Sequence, residues 1–139
     1  MANFVILNNE NIVTETLVVT NDVATSEQVG IDFLKNILKD QNLKIRQTSY
    51  NTIHGVHTKG GTPFRGNYAD VGFTYDEVND VFYRPRPVDV NNIICDSWTI
   101  SAPTWEWEAP TPMPTLTESK WHEWDEVAQV WIEFDITTT

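Results

Sequence analysis

The sequence predicts an α+β fold, with a small N-terminal sheet and one helix followed by three aromatic β-hairpin repeats in a β-rich C-terminal half. Three observations predict it. Two β-rich runs flank an asparagine cluster near the start, and one following segment spaces its apolar residues like a helix face. Beyond it, aromatic residues recur in matching segments at a spacing of 24 to 25 residues.

The first element pair is a hairpin. Phe4-Val5-Ile6-Leu7 precedes Asn8-Asn9-Glu10-Asn11, and Ile12-Val13-Thr14-Glu15-Thr16-Leu17-Val18-Val19 follows it. Asparagine tolerates the left-handed backbone that tight turns need. Thr25 with Gln28 resembles a capping box. Val29, Phe33, Leu34, Ile37 and Leu38 behind it form one helix face, expected to pack on the sheet, with the helix ending near Asp40-Gln41-Asn42. Leu43-Lys44-Ile45-Arg46-Gln47-Thr48 alternates like a half-buried strand. Thr58-Lys59-Gly60-Gly61-Thr62-Pro63 breaks any regular element. The expected division is therefore an α+β unit over 1–62 and the hairpin repeats over 63–139.

The repeat is visible in the residues. Tyr75-Asp76-Glu77-Val78-Asn79-Asp80-Val81-Phe82 matches Trp124-Asp125-Glu126-Val127-Ala128-Gln129-Val130-Trp131 at an offset of 49. Ile100-Ser101-Ala102-Pro103-Thr104-Trp105-Glu106-Trp107 lies between them. Each copy reads as strand, polar turn, strand, so aromatic residues should face each other across the pair. An isolated hairpin is marginal in water, so the hairpins are expected to pack together or on a partner. Pro85, Pro87, Pro110, Pro112 and Pro114 favour extended connectors.

Composition bounds the function. The 139 residues carry 20 acidic and 9 basic side chains, a formal net charge of −11. From residue 98 onward there are eight carboxylates and a single basic residue, Lys120. That balance argues against nucleic acid, which needs clustered Lys and Arg. No apolar run approaches a membrane span and Met1-Ala2-Asn3 opens no basic leader region, so neither membrane nor leader is expected. The lone Cys95 excludes an internal disulfide and reads as a buried structural thiol.

All six tryptophans fall between Trp98 and Trp131. Paired as Trp105 with Trp107 and Trp121 with Trp124, they suit either a hairpin core or partner interface, or a platform for stacking sugars. Tyr75, Phe82, Trp98, Trp105, Trp107, Trp121, Trp124 and Trp131 are the expected core or partner-binding residues. His54 and His57 form only an H-x-x-H pair, with His122 remote, and a metal site is not expected. Glu106, Glu108, Glu123, Asp125, Glu126 and Glu133 lack the spacing of a calcium loop and read as a solvated acidic face. Lys59-Gly60-Gly61-Thr62-Pro63-Phe64-Arg65 lacks phosphate-loop spacing and reads as a turn. No nucleophile sits with a base, so no enzyme activity, catalytic residue or cofactor is expected.

One string of residues has a wider likeness. Gln47-Thr48-Ser49-Tyr50-Asn51-Thr52-Ile53-His54-Gly55-Val56-His57 and Gly60-Gly61-Thr62-Pro63-Phe64-Arg65-Gly66-Asn67-Tyr68-Ala69 resemble a family of small virion-associated proteins of marine tailed bacteriophages, mostly cyanophages. The likeness continues through Gly72-Phe73-Thr74-Tyr75-Asp76, Arg84-Pro85-Arg86-Pro87, Ser97-Trp98-Thr99 and Trp107-Glu108-Ala109-Pro110 to Trp124-Asp125-Glu126. Gly66 replaces a usual lysine, Asp70-Val71 a usual Gly-Ile, and the segment 88–94 is longer than usual. The resemblance implies a virion location and a structural or accessory role (capsid decoration, neck or tail) with other virion proteins as partners. A homo-oligomer is compatible with it. The alternative is a host-adsorption module that binds surface glycans through exposed tryptophans.

Overall fold

The computed structural model describes residues 1–136. Its N-terminal part is a three-stranded antiparallel sheet with one helix, and β-hairpins make up the rest. The elements are β1 (Ala2–Leu7), β2 (Val13–Val19), α1 (Glu27–Ile37) and β3 (Lys44–Thr48), then β4 (Thr52–Ile53) and β5 (Val56–His57). The aromatic hairpins follow as β6 (Thr74–Asp76) with β7 (Val81–Tyr83), β8 (Thr99–Ser101) with β9 (Glu106–Glu108), and β10 (Lys120–Asp125) with β11 (Val130–Asp135). The fold class expected from sequence is the one observed.

The chain forms two compact units. One comprises Met1–Pro85 with Ala102–Glu106; the other comprises Arg86–Ser101 and the described residues 107–136. The β6–β7 hairpin therefore belongs with the N-terminal sheet, although the sequence groups it with the later repeats.

In the first unit the strand order is β2-β1-β3, with β1 antiparallel to both neighbours. The β1–β2 turn works as the asparagines suggest. Asn8 Oδ1 accepts from the N–H of Glu10 and of Ile12, and Asn11 takes a φ of 61°. As the central strand, β1 is buried on both sides. Phe4 and Ile6 face α1, in a cluster with Val19, Ile31, Leu34 and Ile45. Val5 and Leu7 face the opposite way, in a cluster with Val13, Ala69, Tyr75 and Phe82. The first aromatic hairpin thus supplies the second core of this unit. Burying side chains of this size stabilises by about 1.5–3 kcal/mol each, enough to hold an 11-residue helix that is marginal alone.

The helix departs from expectation at both its cap and its face. Ser26, not Thr25, is the N-cap, and its Oγ accepts from the Val29 N–H at 3.2 Å. The buried face is Gly30, Ile31 and Leu34, whereas Val29, Ile37 and Leu38 are exposed. The cause is close approach: a Cβ on Gly30 would lie 2.3 Å from Phe4 Cζ, so only glycine lets the helix sit on β1 at this spot.

The loop after β5 is fastened by side chains. Asn67, buried, receives the His54 N–H on Oδ1 and donates from Nδ2 to the carbonyls of Phe82 and Trp105. Arg65 donates to Glu27, to Asp80 at 2.8 Å and to the Gln47 carbonyl at 2.9 Å. Its guanidinium also lies over the Phe64 and Tyr75 rings. Burial opposes its charge, but the Glu27 hydrogen bond and the charges of Glu27 and Asp80 raise its pKa above the ordinary value.

Candidate functional site

The three aromatic hairpins share one geometry. Four residues separate the strands in each, and the last of the four has positive φ: Asp80 at 55°, Trp105 at 51° and Gln129 at 58°. In the first and third, the residue before the turn is an aspartate whose Oδ1 accepts backbone N–H groups of the turn: Asp76 from Val78 and Asn79, Asp125 from Ala128. The matched aromatics face each other across the strands, Tyr75 opposite Phe82 and Trp124 opposite Trp131.

The expected site residues divide by environment. Tyr75, Phe82 and Trp124 are buried. The Tyr75 hydroxyl donates to Asp80; burial and that bond raise its pKa. Trp105 is half-buried in the first unit. Its backbone carbonyl accepts from Asn67.

In the second unit, Trp107 is half-buried with the Arg86 guanidinium 4.3 Å from its ring centroid. The same guanidinium donates to the carbonyls of Cys95 and Trp98. Trp98, Trp124 and Trp131 form one cluster, with centroid separations of 6.0, 5.9 and 5.2 Å. Trp124 Nε1 donates to Glu126, and Trp131 Nε1 to the Thr111 carbonyl. Trp98 Nε1 is buried without a hydrogen-bond partner among the described residues. A cavity of about 180 Å³ beside the cluster is lined by its three indoles together with Val88, Asp89 and Glu123. Trp121 stands apart from this cluster, 42% exposed and stacked on Phe134 at 5.8 Å.

Two carboxylates brace the tryptophan cluster, and composition hides both. Asp89 is buried; its Oδ1 accepts the N–H of Asn91 and Ile93, and its Oδ2 accepts that of Glu126. Burial pushes its pKa up, but the backbone bonds outweigh burial and hold it below the ordinary value. Glu126, expected on a solvated face, is half-buried and accepts from the Ser97 N–H and hydroxyl and from Trp124 Nε1. The Ser97 hydroxyl bond leads the effects that lower its pKa. The one sequence signal for this brace was Asp89-Val90-Asn91-Asn92, a turn-forming run inside the lengthened link.

The histidines are separately placed. His54 Nδ1 lies 3.2 Å from a Glu106 oxygen, and His57 Nδ1 accepts the N–H of Lys59 and Gly61. The His122 side chain in β10 is only 7% exposed, its Nδ1 without a partner among the described residues. Among the described residues no group of three or more His, Cys, Asp or Glu is gathered to hold a metal ion. No described helix is long and apolar enough to cross a membrane. Comparison of the chain with protein-family models, with curated proteins and with solved structures found no match in any of the three.

Proposed function

We propose that the chain is a non-enzymatic structural or accessory protein of a phage virion, a capsid decoration, neck or tail component attached through its aromatic hairpins. The observation that carries this reading is the uncovered side of β10–β11, where Trp121 and Phe134 stack at the surface while Trp124 opposite is enclosed. Large aromatics at a surface are the usual anchors of protein interfaces. The acidic balance suits a particle exterior, because it keeps the surface soluble and repels anionic matter. Virion context itself rests on the sequence resemblance. Mass spectrometry of purified particles tests the reading: the chain is expected among virion proteins, and its absence overturns the proposal. Copy number then separates a decoration protein from a tail part.

The cavity lined by three tryptophans favours a second reading, adsorption to host glycan, since indole faces suit a sugar ring. Tryptophan fluorescence with soluble quencher and host polysaccharide discriminates. A sugar-dependent spectral shift supports adsorption, and no response to sugar supports the structural reading.

A further inference from the structure

The β10–β11 hairpin has one covered face and one open face. Alternation along the strands puts His122 and Trp124 with Glu133 and Trp131 on one side, and Trp121 and Glu123 with Phe134 and Ile132 on the other. The first side is closed around Trp124, only 3% exposed under Trp98, while the Glu133 and Asp135 side chains on it stay 52% and 75% exposed. On the second, Trp121 and Val130 are 42% and 50% exposed. Among the described residues β11 pairs only with β10, so its outer backbone edge is open.

We propose that this edge and the adjoining side chains of Trp121, Ile132 and Phe134 dock an extended segment of a partner protein in which Lys or Arg alternates with apolar residues. The alternation follows from β11 itself. Its Val130, Ile132 and Phe134 point to the open side, and Glu133 and Asp135 to the other. A strand added at this edge places apolar side chains beside Ile132 and Phe134, and its alternate residues beside Glu133 and Asp135. Charge complementarity fixes the identity of those alternate residues. Lys120 is the single basic side chain of the hairpin and already serves both carboxylates, at 3.3 Å to Glu133 and 3.6 Å to Asp135. Around it the second unit carries nine side-chain carboxylates against two cations, Arg86 and Lys120. A second copy of the chain would set β11 carboxylates against their own counterparts, which destabilises a strand pair. Charged residues on an open edge also discourage self-pairing, consistent with an edge reserved for an oppositely charged strand.

The inference rests on the attachment reading and specifies its partner chemistry. The test uses the full-length protein with ten-residue peptides alternating lysine with valine or isoleucine, and counterparts with glutamate for lysine. Hydrogen exchange and amide chemical shifts report where each peptide binds. The lysine peptide is expected to protect β11 backbone amides, and the glutamate peptide to leave them unchanged. Trp121→Thr is expected to weaken binding at least about tenfold, the scale of an aromatic anchor. The double variant Glu133→Lys with Asp135→Lys is expected to abolish lysine-peptide protection and admit the glutamate peptide. Circular dichroism confirms that both variants remain folded; should Trp121→Thr not fold, the charge reversal alone decides. No protection of β11, equal protection by both peptides, or a shift of Trp121 by a soluble hexasaccharide in place of the peptide each overturns the inference. Protection of β11 with the chain absent from particles would overturn the virion reading alone. Presence in particles without protection would overturn this inference alone.

Discussion

Trp124 meets Trp131 across β10–β11 at a ring-centroid distance of 5.2 Å, and Tyr75 meets Phe82 across β6–β7 at 5.0 Å, 49 positions earlier in both strands. The surroundings of the two pairs differ. Phe82 is wholly enclosed by the aliphatic side of β1, whereas Trp131 is only half-buried. One strand-turn-strand pattern thus serves both as a layer of a mixed core and as the framework of a tryptophan cluster.

Phe82→Ala is expected to lower stability by about 3–5 kcal/mol, because it removes a fully buried ring. Trp121→Ala removes a ring already 42% exposed, and its expected cost is about 1 kcal/mol. Urea unfolding of the two variants compares them; equal losses would contradict the division between enclosed and surface aromatics.

Gly30→Ala is expected to destabilise despite better helix propensity. Alanine gains about 1 kcal/mol over glycine inside a helix. Against this, the new Cβ meets the Phe4 ring at 2.3 Å, and Phe4 is fully buried with no room to retreat. Such overpacking costs about 1–3 kcal/mol, so the net change is a loss, readable as a lower denaturation midpoint. A higher midpoint would mean that the helix does not rest on β1 as described.

Arg65→Lys is expected to cost about 1–2 kcal/mol although charge is retained, because an ammonium cannot serve Glu27, Asp80 and the Gln47 carbonyl together and loses the stacking on Phe64. Thermal unfolding of the variant, repeated at high salt, separates the lost geometry from simple charge. A variant as stable as the parent would remove Arg65 from the framework.

Acid is expected to loosen the tryptophan cluster through Asp89 and Glu126. Both carboxyls are held below their ordinary values of 3.8 and 4.5 in the folded chain. A depressed folded value makes the stabilisation complete above the ordinary value and lost as pH falls through the lower, folded one. Tryptophan fluorescence should therefore hold steady down to those ordinary values and change below them. Asp89→Asn should weaken the acid dependence and lower stability near neutrality. An identical acid profile in that variant would exclude Asp89 as a contributor.

Cys95 is expected to resist thiol reagents until the chain unfolds. Its side chain is buried, and burial together with the nearby charges of Glu126 and Asp89 pushes its thiol pKa up, which disfavours the reactive thiolate. Labelling by iodoacetamide with and without urea measures this directly. Fast labelling of the native protein would place the thiol at the surface.

The elements themselves were legible because they follow from local chemistry. The asparagines at the first turn, the alternation of β3 and the spaced aromatics each name a structure without reference to the rest of the chain. The helix face was misread because its centre is Gly30, which has no side chain to register in a hydrophobic stripe; the gap it leaves is what admits Phe4. The short β4–β5 hairpin escaped notice because its two-residue strands carry no alternation to read. Arg65, Asn67 and Asp89 act through partners distant in sequence, and no local pattern announces them. The placement of Tyr75 and Phe82 inside the first unit was likewise invisible, since aromatic pairing across a hairpin looks the same whether its outside meets water or Val5.

The three matched turns carry no glycine at their left-handed position; Asp80, Trp105 and Gln129 occupy it instead. An ordinary residue in that conformation costs about 1–2 kcal/mol, which glycine would avoid. The chain therefore holds three replicates of a single experiment, with different side chains and neighbours in one backbone shape. Replacing each in turn with glycine subtracts the common conformational cost, and the remainder at each site calibrates what its native side chain contributes in that setting.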